Sequence, residues 1–431
     1  MFDESCSTKY LIIGGGVSGL AFANFINSDD YLILEKESEL GGYCRTIYQD
    51  GYIWDYAGHF FHFATDEMKN FFNSRISPND LIYKTKSTKI FYNNLVIDFP
   101  FQANIHQLDK EEFIDCLYDL YFRKKNESEN SLQSFLEMLY EKFGISITEK
   151  FLKPYNEKLY ACDLNQLDKD AMGRFFPYAD LEQVIRSFKN DYNGSYNASF
   201  MYPKDGAKVF VDALASDIDR KKICMKESVI EIDSEEKYVL TNLGRKISYE
   251  FLINSSPLNV FLELLGKQKY KDIAKKLSWN KVLVFNLGFS KKSKYKDIHW
   301  AYIPDKTINF YRVGFYDNIL DEDRLSMYVE IGLPPEMSFD IDKELALTLQ
   351  NIQKLGITDE SHDLISYSVI LMDPAYVHVD SNLDAIKAEL KDEFKELQIF
   401  SIGRYGDWKY CSIEDSMIDA LNIANKLNNE E

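Results

Sequence analysis

Apolar residues run unbroken through "YLII" (10–13), stop at a glycine cluster, and resume at helical spacing in "VSGLAFANFI" (17–26). They run unbroken again in "YLILE" (31–35), which ends on an acid. The pattern predicts a buried strand, a tight glycine turn, a helix and a second buried strand. From about 106 to 190 the period changes. "DKEEFIDCLYDLYFR" (109–123) and "SLQSFLEMLYEKFG" (131–144) place apolar residues three and four apart, as core-facing helices do. "SVIEIDSEEKYVLTN" and "EFLINSSPLNVFLELL" return to strand character and read as later parts of the first unit. Between about 278 and 372, "KVLVFNLGFS", "HWAYIP", "NFYRVGFY" and "SMYVEIGL" predict an antiparallel sheet. The end (399–427) reads as a strand, a glycine-containing loop and an amphipathic helix.

With 431 residues, more than one core is expected, and no repeat or proline-rich linker separates the units, so they are expected to interleave. Charge narrows the function classes. The formal net charge is -19, which repels nucleic acid and anionic membrane; the longest basic run is the "KKSKYK" before His299. An anionic ligand must therefore be held by local cations. No apolar run reaches membrane-spanning length, the N-terminus reads as neither signal nor transit peptide, and six cysteines without CxxC spacing read as reduced thiols. A soluble cytoplasmic protein without a metal site is expected.

The first strand, turn and helix carry the dinucleotide fingerprint: Gly14 for the turn, Gly16 for approach of a pyrophosphate, Gly19 for close helix packing, and Glu35 to accept from a ribose hydroxyl. A second glycine pair follows in "ELGGYCRT", where Gly41 and Gly42 admit the pyrophosphate from its other side and Arg45 is placed to neutralise it. "GYIWDYAGHFFHF" reads as a strand pair ending at a small-residue turn, Ala57 and Gly58, suited to lie against a flat ring. His59 follows, as a catalyst or as a turn residue, and His62 reads as structural. In "HWAYIPDKTINFYR" (299–312), Arg312 is framed by Trp300, Tyr302 and Tyr311, with few carboxylates near it in sequence. These rings alternate along strands and also fit a packed sheet face.

"GGYCRT" resembles the FAD signature of the flavin amine oxidase and nucleotide-sugar mutase superfamily. Together with "FPFQANI" (99–105), "YNEKLYA" (155–161), "MYPKDG" (201–206), "HWAYIP...FYR" and "GRYGDWKY" (403–410), it resembles the UDP-galactopyranose mutase family over nearly the whole chain and in that family's order. The resemblance implies an α/β fold in which a Rossmann-like FAD-binding domain (1–80, 193–276 and 385–431) carries an inserted helical domain (106–192) and an antiparallel sheet domain (81–105 and 277–384) that meets the substrate.

It also implies an isomerase. In that family N5 of reduced FAD attacks the anomeric carbon of a nucleotide sugar, the diphosphate leaves, and the sugar recloses with another ring size without net redox. An external reductant such as NAD(P)H charges the flavin, and the product serves surface polysaccharide. Carried over residue by residue, Arg312, Tyr302 and Tyr410 take the diphosphate, with Tyr376 as a further phenol beside which the family's usual prolines are absent. Trp300 walls the sugar pocket, and Gln102, Asn156 and Tyr160 hold the nucleoside. Gly58 and His59 meet the flavin, Val229 lies with the cofactor, and Gly403, Arg404, Asp415 and Ser416 close over it. Departures are Ala103 in place of an asparagine, and Arg174, one residue short of the family's second diphosphate arginine. That offset turns a helical side chain by about 100 degrees, so Arg174 either faces the substrate from a shifted frame or is structural. The alternative class is an FAD oxidoreductase of the amine oxidase, protoporphyrinogen oxidase or desaturase type, which shares the N-terminal motifs but typically shows a Gly-Glu pair where this chain has "GRYGDWKY".

Overall fold

The computed structural model describes residues 5–123, 134–173, 176–177, 181–189 and 199–429. Two seven-stranded sheets organise them. The first runs β10 (Val229–Asp233), β11 (Tyr238–Thr241), β12 (Lys246–Asn254), β1 (Ser5–Ile13), β2 (Tyr31–Glu35) and β9 (Ile223–Met225), with β18 (Ile399–Ser401) also on β12. The pairs around β1 are parallel. Parallel strands covered on both faces must be apolar throughout, which is why "YLII" and "YLILE" show no alternation. One face packs on Leu20, Phe22, Phe210 and Met417, and the other on Leu11, Leu252, Phe261 and Phe394.

The second sheet runs β17 (Leu364–Met372), β13 (Lys281–Phe289), β16 (Ser326–Leu333), β15 (Arg312–Phe315), β14 (Trp300–Tyr302), β6 (Thr88–Tyr92) and β7 (Leu95–Asp98). It is antiparallel except where β14 meets β6. Two ribbons complete the strands: β3 (Thr46–Gln49) with β4 (Tyr52–Asp55), and β5 (Leu81–Thr85) with β8 (Ser199–Pro203). Asp55 ties the ribbons together, accepting from Thr46, Tyr202 and the Ala207 N–H, and its burial pushes its pKa up to about 6.

The helical unit has its own core of Phe101, Leu120, Phe135, Phe143 and Phe151. Helix Lys110–Phe122 begins at Asp109, whose carboxylate accepts from the Glu112 N–H. The helix expected to run to Gly144 stops there as expected, since Gly144 has φ 75° close against Asp119, and helix then resumes to Ile147. At the C-terminus, the expected glycine loop holds a short helix, Gly403–Gly406, before the helix Ile413–Asn429. Among the described residues no helix is long and apolar enough to cross a membrane.

Candidate functional site

The glycine turn after β1 is built from backbone. Gly14 has φ 101°, a conformation that side chains other than glycine's rarely adopt. A Cβ on Gly19 would collide with the Gly14 carbonyl oxygen, so only glycine lets the helix Val17–Phe25 lie this close to β1. That helix starts at Gly16 with no side-chain cap and no acid in its first turn, leaving its N–H groups and positive end open to an anion. Gly41 and Gly42 face it. The Gly41 N–H donates to Gly15 O at 2.8 Å, and a Cβ on Gly42 would lie 3.7 Å from the Gly16 Cα.

Glu35 is buried, accepting from the Gly15 N–H at 2.7 Å on one oxygen and from the Glu37 N–H at 2.8 Å on the other. Each oxygen keeps a lone pair for a ribose hydroxyl. The chain at residues 226–227 donates to the carbonyls of Glu37 and Glu35, which brings the start of β10, and with it Val229, beside the same strand end. Arg45 points its Nη2 to Glu39 O at 2.6 Å, and so braces the loop that it was expected to serve by charge.

His59 sits next, its Nδ1 3.1 Å from Ala57 O. Burial, chiefly, and the charges of Arg404 and Arg312 lower its pKa to about 4 against the opposing pull of the bond to Ala57 O. The ring is neutral at physiological pH. Gly58 lies so close to Tyr328 that a side chain would strike the phenol. The C-terminal segment closes on this turn through Glu414, whose carboxylate accepts from the N–H groups of Ala64 and Thr65 and from the Thr65 hydroxyl. Asp415 accepts from Ser412, Ser416 donates to Ser412 O, and a Cβ on Gly403 would strike Ser18 beside the cradle.

Beyond His59 lies a cluster of phenols and guanidinium groups gathered from distant segments. Tyr376 and Tyr410 stack at 6.0 Å, and Arg404 lies over both rings, its Nε and Nη2 held by Cys411 O. Tyr302 accepts from Trp300 Nε1 at 3.2 Å and packs against Phe99 and Tyr155. Trp300 stacks on Phe60 at 4.8 Å. Burial raises the pKa of Tyr302 and Tyr376, and pushes Tyr410 up to about 12, so these hydroxyls remain protonated donors at neutral pH.

Arg312 corrects one expectation. It does have a carboxylate: Glu330, fully buried on β16, takes Nε at 2.9 Å and Nη2 at 2.6 Å, and also accepts from the Tyr311 hydroxyl. The pair is cross-strand, since Arg312 and Glu330 are register partners of β15 and β16, and sequence proximity could not reveal it. The same geometry leaves the Nη1 end without a hydrogen bond among the described residues.

Gln102, Asn156 and Tyr160 are all buried, and each carries a polar atom without a hydrogen-bond partner among the described residues: Oε1, Oδ1 and the hydroxyl, respectively. Gln102 donates to Pro177 O and Asn156 to Leu152 O, while Tyr160 meets Tyr376 edge to face. Unpartnered polar atoms at these depths are costly unless a ligand serves them. Arg174 lies outside the described residues; Gly173, next to it, lines a cavity with Lys409, Tyr410, Cys411 and Asp415. Sequence reasoning missed Glu330, Tyr155 and Phe60 as members of the site. A lone acid in the otherwise apolar strand "SMYVEIGL" was the available signal for the first.

The fold and the glycine turn define an α/β protein of the Rossmann type. Residues 12–74 match the model of the NAD(P)-binding Rossmann-like domain. The particular fold is that of UDP-galactopyranose mutase: a crystal structure of the reduced form of that enzyme superposes with a TM-score of 0.92 at 20% identity, over 98% of this chain and 94% of the other. A crystal structure assigned to protoporphyrinogen oxidase, from Exiguobacterium, follows at TM-score 0.78 and 15% identity, over 99% and 100%.

Similar sequences include the corticosteroid-binding protein of Candida albicans, 25% identical over 73% of this chain and 63% of that one. Coproporphyrinogen III oxidase of Staphylococcus aureus is 21% identical over 65% and 67%, and UDP-galactopyranose mutase of Mycoplasma genitalium 24% identical over 64% and 67%. The match thus spans about two thirds or less of these relatives' own lengths. In order of motifs and in fold, the chain resembles the UDP-galactopyranose mutase family.

Proposed function

We propose that this protein is a flavin-dependent nucleotide-sugar mutase that interconverts the pyranose and furanose forms of a sugar carried on a nucleoside diphosphate, in the cytoplasm and for surface polysaccharide. The observation that carries the reading is the cluster itself: two guanidinium groups and three protonated phenols converge beside the turn at Gly58 and His59, next to a dinucleotide cradle.

FAD fits the residues present. The uncapped helix at Gly16 and the facing backbone of Gly42 leave room for a pyrophosphate that any Cβ would narrow, and Glu35 is held with lone pairs to spare for a ribose. Gly14, Gly16, Gly19, Glu35, Gly41, Gly42 and Arg45 would hold the dinucleotide, and Gly58, His59, Val229, Gly403, Asp415 and Ser416 would border it. When bound and reduced, for example by NAD(P)H, the flavin supplies a nucleophile for the anomeric carbon.

The chain's own residues manage the diphosphate. A leaving diphosphate needs positive charge and donors that add no charge of their own. Arg312 offers its free Nη1 end, aimed by Glu330, which also offsets part of its charge. Arg404 supplies the second cation against Tyr376 and Tyr410. Tyr302, Tyr376 and Tyr410 donate protons in hydrogen bonds without ionising. Neutral His59 adds no third positive charge near the flavin ring. Trp300 and Phe60 form an apolar wall for the sugar, and Gln102, Asn156 and Tyr160 present acceptors and a hydroxyl to the nucleoside. No metal is required by this division of labour.

Incubating the reduced holoprotein with UDP-, GDP- and dTDP-sugars tests the reading. A product of identical mass and new retention is expected with at least one of them. The oxidase relatives define the alternative, an FAD oxidoreductase, which would consume an electron acceptor with each turnover and yield a product of different mass.

A further inference from the structure

Resting on the reading above, we propose that Lys158 is a positioning residue of this site: its ammonium clasps residues 303–310 and so fixes the two strands that carry Tyr302 and Arg312 against the helix that carries Asn156 and Tyr160. Lys158 lies in the helix Lys153–Tyr160. Its Nζ donates to Ile303 O at 2.8 Å, to Asp305 O at 2.9 Å and to Phe310 O at 2.5 Å. Burial lowers the Lys158 pKa to about 7, and in its protonated form the ammonium has three N–H donors. All three are spent on backbone carbonyls of one connection.

That connection begins one residue after Tyr302 and ends two residues before Arg312. It has little regular structure of its own: Asp305 caps Thr307, and Ile303 N–H donates to Tyr311 O. Without Lys158, three carbonyls would lose the group on which they converge.

The same helix end is held at consecutive residues by β16 and by the segments just before β13 and after β17. A helix leaves its last carbonyls without helical partners, and here residues at and beside the second sheet engage them. A Cβ on Gly332 of β16 would collide with Lys158 O, so glycine permits the contact. Leu159 O accepts from Asn280 Nδ2 at 2.5 Å, while Asn280 Oδ1 accepts from the Tyr376 N–H at 2.8 Å. Tyr160 O lies 3.0 Å from His378 Nε2. One short stretch of helix thus sets the relative places of Asn156, Tyr160, Tyr376, Tyr302 and Arg312. Glu157 also meets Lys306, but the lysine is 60% exposed, and such a pair contributes little. Lys158 is the member whose removal frees the substrate strands without touching the helix's own packing.

The test compares Lys158→Met, which keeps the stem and removes the donors, with Lys158→Arg, which restores donors to the same carbonyls. Four quantities are read: FAD content, thermal midpoint, UDP affinity with the KM for the nucleotide sugar, and amide exchange along residues 299–312. In Lys158→Met the UDP Kd and the KM are expected to rise about tenfold, the scale of a small misplacement of binding groups. kcat should change less, FAD content should hold, and faster exchange should be confined to that stretch. Lys158→Arg should recover part of the affinity. Unchanged UDP affinity beside faster exchange would overturn the inference, as would a lowered thermal midpoint with normal affinity per folded molecule. If the wild type neither binds UDP nor isomerises any nucleotide sugar, the mutase reading falls and the positioning role falls with it; the exchange map then separately reports whether the clasp holds the connection.

Discussion

The dinucleotide cradle and the phenol and arginine cluster are made in opposite ways. The cradle comes from one contiguous stretch, and its working parts are backbone N–H groups exposed by missing side chains. The cluster is made of side chains from four separate segments, each held by a second residue: Arg312 by Glu330, Arg404 by Cys411 O, and the Tyr376 backbone by Asn280. A site of backbone fails when an atom is added. A site of side chains fails when a support is removed.

The largest effect that would break this contrast is expected at Arg312. Arg312→Ala leaves Glu330 buried without its cation, and removing one partner of a buried pair costs about 3–5 kcal/mol of stability. The lost diphosphate contact should lower the rate roughly 30- to 1000-fold. Urea denaturation and steady-state kinetics on Arg312→Ala and on Arg312→Ala with Glu330→Gln separate the two effects: the second change should restore stability but not rate. Equal loss of rate and full recovery of both by Glu330→Gln would make Arg312 a brace of the sheet.

On the cradle side, Gly19→Ala forces a methyl onto the Gly14 carbonyl, and overpacking of this kind costs about 1–3 kcal/mol. Bound FAD per mole of protein, read from its visible absorbance, should fall sharply, whereas Tyr376→Phe in the cluster should leave it unchanged. Tyr376→Phe removes one neutral hydrogen bond, about 0.5–1.5 kcal/mol, and should weaken UDP binding roughly two- to tenfold in calorimetry. Normal FAD content in Gly19→Ala would undo the distinction between added and removed atoms.

A pH-dependent effect concerns His59, beside the cluster. Its folded pKa of about 4 lies below the ordinary value near 6.5. The folded state therefore favours the neutral ring. The contribution is fully present above pH of about 6.5 and is lost as pH falls through about 4. The difference in thermal midpoint between the wild type and His59→Gln should shrink over that interval. A difference that grows as the pH falls would mean that the ring is held as a cation.

What could be read without coordinates follows the same division. The strand, glycine turn, helix and acid of the cradle are local in sequence, and their hydrophobic periods and glycines are visible within about 30 residues. The antiparallel strands were legible from their short apolar and aromatic runs, although the central ones, β13 and β16, are buried on both faces and do not alternate. Their register was not legible, and register is what places Glu330 opposite Arg312. Lys158 was equally hidden: in "YNEKLYA" it reads as a surface lysine of an amphipathic helix, and only the fold brings three carbonyls of the 303–310 connection to its ammonium. Arg404 lay in a segment assigned to the flavin, and its side chain packs against the cluster's tyrosines. The helical segment read to Gly144 does end there, at a positive φ packed against Asp119; what was not legible is that helix resumes directly beyond it.

The central claim is that the cluster serves a diphosphate that leaves and returns while the sugar changes ring size with no net redox. The most direct measurement is product formed per reducing equivalent: the holoprotein is reduced once, excess reductant is removed under anaerobic conditions, and the isomerised nucleotide sugar is counted by chromatography and mass. Many molecules of isobaric product per equivalent are expected, with the flavin still reduced at the end. One product or fewer per equivalent, with the flavin reoxidised in step, would contradict the account.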